Sequence, residues 1–222
     1  MSFPTNSGDA SSYAERVARH VPGLRDLHRM SGLLLAEAVP AEGRVLVLGA
    51  GGGLELRAFA EMQPGWRLHG VDPSAEMIAQ ARLVLGDRAS SVAFHEGYID
   101  DAPPGPFDGA ACLLTLHFLP RDERLRTVRE LRRRLRPGAP FVVAHHSFPQ
   151  GGRQQDLWLR RNADLLVSGG VPPSQAEKSI AVMKERLPAL SPDEDEAILR
   201  EAGFGDIQLF YAGFTFKGWV CY

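Results

Sequence analysis

Cysteine is nearly absent: two in 222 residues cannot build a disulfide framework or a cysteine metal site. Cys112 lies in an apolar run and Cys221 beside the C-terminus, a usage that suits a reducing cytoplasm. A dominant charge is absent too. The formal net charge is −2 with both signs scattered along the chain, which leaves no broad basic field for a nucleic-acid backbone or an anionic membrane. No apolar run approaches a membrane span, and the opening MSFPTNSGDASS has no apolar core of a signal peptide. These absences predict a soluble, cytoplasmic protein with a small-molecule partner, no membrane or nucleic-acid contact and no metal.

What is present, 44% hydrophobic residues, suffices for one well-buried domain. Residues 1–12 read as a flexible tail and 13–222 as a single domain, with two helices expected within 13–40. Short apolar runs then alternate with amphipathic segments. Strands are expected near 44–48, 67–71, 91–95, 108–113 and 140–145, with helices at 54–62, 75–85 and 122–135 between them. A segment of about 147–190, with two helical stretches separated by Ser-Gly-Gly-Val-Pro-Pro, interrupts the alternation and reads as a helical lid. A helix at 192–202 precedes two runs rich in aromatic and β-branched residues, 206–211 and 215–221, joined by Ala212-Gly213. The pattern predicts an α/β, Rossmann-like doubly wound fold: a mostly parallel seven-stranded sheet with a C-terminal antiparallel hairpin. Right-handed crossovers bring the strand C-terminal ends to one edge, where a ligand should lie.

The strongest local signal is VLVLGAGGGLE, an apolar strand running into Gly49-Ala50-Gly51-Gly52-Gly53 and then a helix. Glycines admit a ligand close to the backbone, and the helix start offers unpaired amide donors. The last glycine of a dinucleotide fingerprint would fall on Leu54, and the loop has no lysine for a Walker phosphate site. About twenty residues on, HGVDPSAEM ends a strand on Asp72, whose carboxylate can accept from both hydroxyls of an adenosine ribose. The alternative for Asp72 is a plain helix N-cap before Pro73.

The order of VLVLGAGGG, VDPSAEMIAQAR, VAFHEGYIDDAPPGPFDGAACLLTLHFL, LRRRLRPGAPFVVAHHS and LREAGFGDIQLF resembles the class I S-adenosylmethionine-dependent methyltransferases, from about Arg44 to the C-terminus. The resemblance implies S-adenosylmethionine as cofactor. It places the methionine part on Gly49, Ala50 and Gly51, the ribose on Asp72 with Pro73 and Met77, adenine along Gly97, Tyr98 and Ile99, and the sulfonium side on Leu114 and Thr115. Two positions depart from the family pattern. Val47 stands where many members carry an acid, and Tyr98 follows Gly97 where the usual residue is Asp. A second resemblance, in YAERVARHVPGLRDLHRMSGLLLAEAV and FYAGFTFKGWV, is to enzymes that make carboxy-S-adenosylmethionine for tRNA uridine modification.

Methyl transfer from a sulfonium asks mainly for alignment and exclusion of water, with a general base only for some acceptors. His117 after the fourth strand and His145 at the end of the fifth are the expected catalytic residues. Packing is the alternative for His117 and an ordinary polar edge residue for His145. Because adjacent strand residues face opposite ways, His145 and His146 cannot easily chelate one metal. The arginines of 122–135 read as the solvated face of an amphipathic helix. Apolar stripes on Leu157, Leu165 and Leu166, and on Ile180, Met183 and Leu187, must bury against the domain, a substrate or a second subunit. A lid over an apolar acceptor pocket walled by Trp158 is favoured, and a homodimer through the insertion is the other reading. The function expected is in-line methyl transfer to a small-molecule acceptor. The alternatives are a cofactor-modifying enzyme and a non-catalytic cofactor-binding partner protein.

Overall fold

The computed structural model describes residues 10–222, so residues 1–9 of the expected tail lie outside the described residues. Helix α1 (Ala10–His20) begins ahead of the start at residue 13 expected from spacing, and α2 (Leu24–Ala36) follows the Pro22-Gly23 break. The body then alternates β1 (Arg44–Leu48), α3 (Leu54–Met62), β2 (Arg67–Asp72), α4 (Ala75–Leu85), β3 (Val92–Glu96), β4 (Gly109–Leu113), α5 (Arg121–Arg133) and β5 (Phe141–His146). Helices α6 (Gly152–Ser168) and α7 (Pro173–Arg186) form the insertion. Helix α8 (Pro192–Glu201) and strands β6 (Ile207–Gly213) and β7 (Phe216–Cys221) complete the chain.

The seven strands lie in the order β3-β2-β1-β4-β5-β7-β6. All pairs from β3 to β5 are parallel, and β7 runs antiparallel to both β5 and β6. The chain therefore reverses direction across the sheet between β1 and β4, the crevice where open α/β sheets bind ligands.

Strand alternation divides the core. Val45 and Val47 of β1 join Leu27 and Leu35 of α2 and Leu56 and Phe59 of α3 on one face. Leu46 and Leu48 join Leu125, Val128 and Leu131 of α5 and Ile198 and Leu199 of α8 on the other. Helix α8 starts on a reciprocal capping box between Ser191 and Glu194, and α4 on Ser74, whose Oγ accepts from the Met77 amide at 3.2 Å. The N-cap of α4 is thus Ser74, which leaves the Asp72 carboxylate free of that role.

One expectation about α5 fails. The sequence places its arginines on a solvated face, yet Arg124 is 1% exposed and bonded to the equally buried Asp195 of α8, and Arg134 is buried too. Arg124 precedes Val128 by one helical turn and so shares the packed face of α5. Its guanidinium also donates to the Leu119 and Pro188 carbonyls, 3.2 and 2.8 Å away.

The insertion buries much of its own apolar surface. Leu159 packs with Phe148 and Ala189, and Ala163 and Leu166 with Ala176, with Ile180 and Met183 packed alongside. Leu157, expected in that stripe, is instead exposed.

Candidate functional site

The loop after β1 turns on glycines with positive φ, and Gly49 shows why none larger fits. At φ 73° it lies under Thr115, and a Cβ would collide with that side chain. Gly49 and Ala50 both donate backbone bonds to the Val71 carbonyl at 2.8 and 3.0 Å, tying the loop to β2. Gly53, also left-handed, precedes α3.

Asp72 joins the pieces. It is 8% exposed, and its Oδ2 accepts from the Gly51 amide at 2.8 Å while Oδ1 accepts from the Ser74 amide at 2.9 Å. Its carbonyl accepts from Gly97 N at 3.0 Å, so the loop after β3 hangs on the same residue. An ionised carboxylate offers about four lone-pair sites. Two remain for a diol. Pro73 is exposed and Met77 half-buried beyond it.

After β3, Ile99 is buried in the core while the Tyr98 ring is 63% exposed. The Tyr98 amide donates to Asp101 Oδ2 at 2.9 Å, so an acid a few residues past the expected Gly-Asp position closes this turn. After β4, Leu114 holds a left-handed φ of 59° and its amide donates to the Ala144 carbonyl at 2.6 Å. Thr115 Oγ1 donates to the Leu113 carbonyl at 3.0 Å. The strained Leu114 aims the segment across Gly49, and persists because both neighbours pin it.

Sequence reasoning overlooked Glu55. It lies in the first turn of α3, directly after the glycines, and is 7% exposed. Burial pushes its carboxyl up to about 8, its own backbone amide opposes that, and the Asp72 charge adds to it. The signal was present: an acid following a glycine loop in an otherwise apolar turn.

The two expected catalytic histidines separate. His145 shares the β5 face of Phe141 and Val143, so its ring enters the core below α8, 5.8 Å from the Trp219 ring and 3.2 Å from Asp195 Oδ1. It is 2% exposed and belongs to the buried Arg124–Asp195 cluster, which corrects its expected position facing a ligand. Asp195 stays below its ordinary range: burial would raise it, but His145 and Arg124 outweigh burial.

His146 takes the opposite face, stacked on Phe216 with centroids 3.8 Å apart. Its backbone amide donates to His117 Nδ1 at 3.2 Å, and the two rings meet edge to face at 4.9 Å. Thr215 Oγ1 donates to Asn162 Oδ1 at 3.0 Å, so the 2.9 Å contact with His146 Nδ1 requires the proton on that nitrogen. The lone pair of His146 is then on Nε2. His117, accepting at Nδ1, carries its proton on Nε2. Burial lowers His146 to about 3, with His145 and His20 adding repulsion, and lowers His117 well below its usual value. Both rings are neutral. The pair offers one acceptor and one donor. Among the described residues, no group of three or more His, Cys, Asp or Glu side chains could hold a metal ion, and no helix is long and apolar enough to cross a membrane.

Comparison with known proteins agrees with this layout. A family model described as a methyltransferase domain matches residues 45–138, which contain the glycine loop, Asp72, Gly97 and the segment after β4. The carboxy-S-adenosyl-L-methionine synthase of Chromohalobacter salexigens is 26% identical over 215 residues, covering 95% of this chain and 79% of that protein. Two solved structures share the fold. Human N-acetylserotonin methyltransferase, in complex with S-adenosylmethionine, has a TM-score of 0.58 at 17% identity over 86% of this chain. This chain spans 50% of that one. A methyltransferase from the complex with the Haloferax volcanii Trm112 methyltransferase activator has a TM-score of 0.62 at 19% identity, covering 96% of this chain and 94% of that one. By its domain match over residues 45–138, its relatives and its strand order, the chain is similar to the S-adenosylmethionine-dependent methyltransferases and shares their fold.

Proposed function

We propose that the chain holds S-adenosylmethionine across the C-terminal ends of β2, β1 and β4 and passes a methyl group to a small-molecule acceptor beside β5. The observation that carries the cofactor's placement is the Asp72 carboxylate, bonded to the Gly51 and Ser74 amides with two lone-pair sites left over. Its oxygens accept from the ribose hydroxyls. Gly49 to Gly51 leave room for the methionine part, and Glu55 supplies at that end the acid that Val47 does not. The Tyr98 backbone, held by Asp101, and Ile99 line adenine. Bound there, the sulfonium supplies a methyl carbon already activated for in-line displacement.

The remaining work is alignment. Leu114 and Thr115 close the methionine side, and the His146 Nε2 lone pair and the His117 Nε2–H orient an acceptor hydroxyl or amine by one hydrogen bond each. A ring as weakly basic as His146 positions a donor and contributes little as a bulk proton acceptor. Helices α6 and α7 cover this end of the edge and keep water from it.

Calorimetry with S-adenosylmethionine and S-adenosylhomocysteine tests the placement. Micromolar binding is expected, weakened by about 1–3 kcal/mol in Asp72→Ala when charged hydrogen bonds are lost. Folded protein that binds neither compound sinks the reading.

A second reading is favoured by the similarity to a carboxy-S-adenosyl-L-methionine synthase along 95% of the chain: an enzyme that alters the cofactor itself. Mass spectrometry of ligand released from purified protein separates the two. A carboxylated adenosylmethionine supports cofactor modification, and S-adenosylhomocysteine supports methyl transfer.

A further inference from the structure

At the far end of the same sheet edge lies a groove of about 470 Å³, lined by Pro22, Trp158, Arg161, Ala212, Gly213 and Phe214. Three elements meet in it: the α1–α2 turn, α6 of the insertion and the β6–β7 turn. Its floor is preformed, because the Tyr211 hydroxyl donates to the Pro22 carbonyl at 2.6 Å and fastens the hairpin to that turn.

Two features of the groove bear on what it could bind. The first is charge. The Arg161 guanidinium lies 4.7 Å and the Lys217 ammonium 5.3 Å from the centre of the same Trp158 ring. Among the described residues neither cation is paired with a carboxylate. Lys217 donates to the Phe214 and Phe216 carbonyls at 3.0 and 3.2 Å, which leaves one of its three N–H groups free. Two cations beside one tryptophan with no carboxylate at hand make this end of the edge locally basic, and an anion is the ligand charge that suits it. The second feature is strain. Phe214 holds φ at 52°, a left-handed conformation that a bulky side chain adopts at a cost of about 1–3 kcal/mol, and its ring is 41% exposed at the groove wall. A glycine there would relieve the strain and lose the ring.

Position ties the groove to the histidine pair. His146 ends β5, and the groove turn joins β6 to β7, with β7 the immediate neighbour of β5. At about 4.8 Å per strand step, β6 lies about 10 Å from β5 along the edge. Phe216, on which His146 stacks, and Thr215, which fixes its tautomer, directly follow Phe214.

We infer that the groove binds the distal end of the acceptor, and that the acceptor is an aromatic carboxylic acid: its ring packs on Phe214 and Pro22, and its carboxylate meets the Arg161 fork. A planar guanidinium matches a carboxylate with two parallel N–H donors. This deepens the methyl-transfer reading and rests on it, since the reacting end of such an acid would reach the His117–His146 pair.

The test uses the full chain, saturated with S-adenosylhomocysteine, and titrates 2-naphthoate against the uncharged 2-naphthylmethanol by calorimetry. The acid should bind at submillimolar concentration and the alcohol at least about tenfold more weakly. Arg161→Met, at an exposed position, should weaken 2-naphthoate about tenfold and leave S-adenosylhomocysteine affinity unchanged. Phe214→Gly should weaken both probes while raising the melting temperature. Equal binding of acid and alcohol, full 2-naphthoate affinity in Arg161→Met, or no binding of 2-naphthoate into the millimolar range overturns the inference. Wild-type protein that binds no S-adenosylhomocysteine overturns the cofactor reading instead, so the two failures are distinct.

Discussion

The two halves of the ligand edge are built from opposite materials. At β1 and β2 the groups at that edge are carboxyls, Asp72 bonded to backbone amides and Glu55 buried and, among the described residues, in no salt bridge. At β4 and β5 they are imidazoles, His117 and His146, held neutral by burial. Burial acts on both but in opposite senses, adding a proton to Glu55 and removing one from each histidine. The carboxyl half suits a cofactor that carries an ammonium and a ribose diol. The neutral histidine half suits an uncharged hydroxyl or amine waiting to be aligned.

The largest effect should come from beneath the histidine half, where Asp195 neutralises Arg124 and lies beside His145. Asp195→Ala leaves an uncompensated buried guanidinium and should cost about 3–5 kcal/mol in chemical denaturation. A loss under about 1 kcal/mol would mean that water reaches the cluster.

Next is the carboxyl half. Glu55 has a folded value of about 8 and an unfolded one near 4.5, so the folded state binds the extra proton between those pH values. Stability contributed by this site is full below about pH 4.5 and is lost as pH rises toward 8. Glu55→Gln should therefore gain on the order of 3 kcal/mol over wild type at about pH 8 and nothing at about pH 4, read from melting curves at each pH. A cation bound beside Glu55 expels its proton. Calorimetry in buffers of different ionisation enthalpy should then show proton release on S-adenosylmethionine binding near neutral pH, absent in the Gln variant.

The histidine half should do the reverse. His146, near 3 when folded and 6.5 when unfolded, contributes stability that is full above about pH 6.5 and falls with pH below it. Acidification from about pH 7 to about pH 5 should cost about 2 kcal/mol through this ring, and His146→Gln should remove that part of the slope. Nitrogen NMR should show the ring still neutral at the acid end of that range, with its proton on Nδ1. A ring that titrates near 6.5 contradicts the assignment.

The smallest effect is expected at Tyr98, whose ring is exposed and whose backbone is held by Asp101. Tyr98→Ala should change S-adenosylhomocysteine affinity by less than about 0.5 kcal/mol. A loss of about tenfold would show that the ring covers adenine.

The carboxyl half was legible in the sequence because it is local. A strand, a glycine loop and a helix start occupy consecutive residues, and Asp72 follows at the spacing of one β-α-β unit. Glu55 was legible in kind but was not singled out, since nothing in a linear reading says that the first turn of α3 is buried. The histidine half depends on contacts far apart in sequence: His117 with residue 146, His146 with residue 215, and Thr215 with residue 162. Alternation predicts that His145 and His146 face opposite sides. It does not say which one enters the core.

Arg124 makes the same point. On a helix read alone an arginine belongs to the solvated face. It is buried because α8 returns Asp195 against α5 from 71 residues away.

Hydrophobic period and turn chemistry act over a few residues, so the strand and helix succession, the glycine loop and the acid that ends β2 are written in the order of the amino acids. Which histidine enters the core, which carboxyl keeps its proton and where two cations meet one tryptophan were settled by packing. Those outcomes follow from burial and from charges of distant segments, and burial is a property of the packed chain.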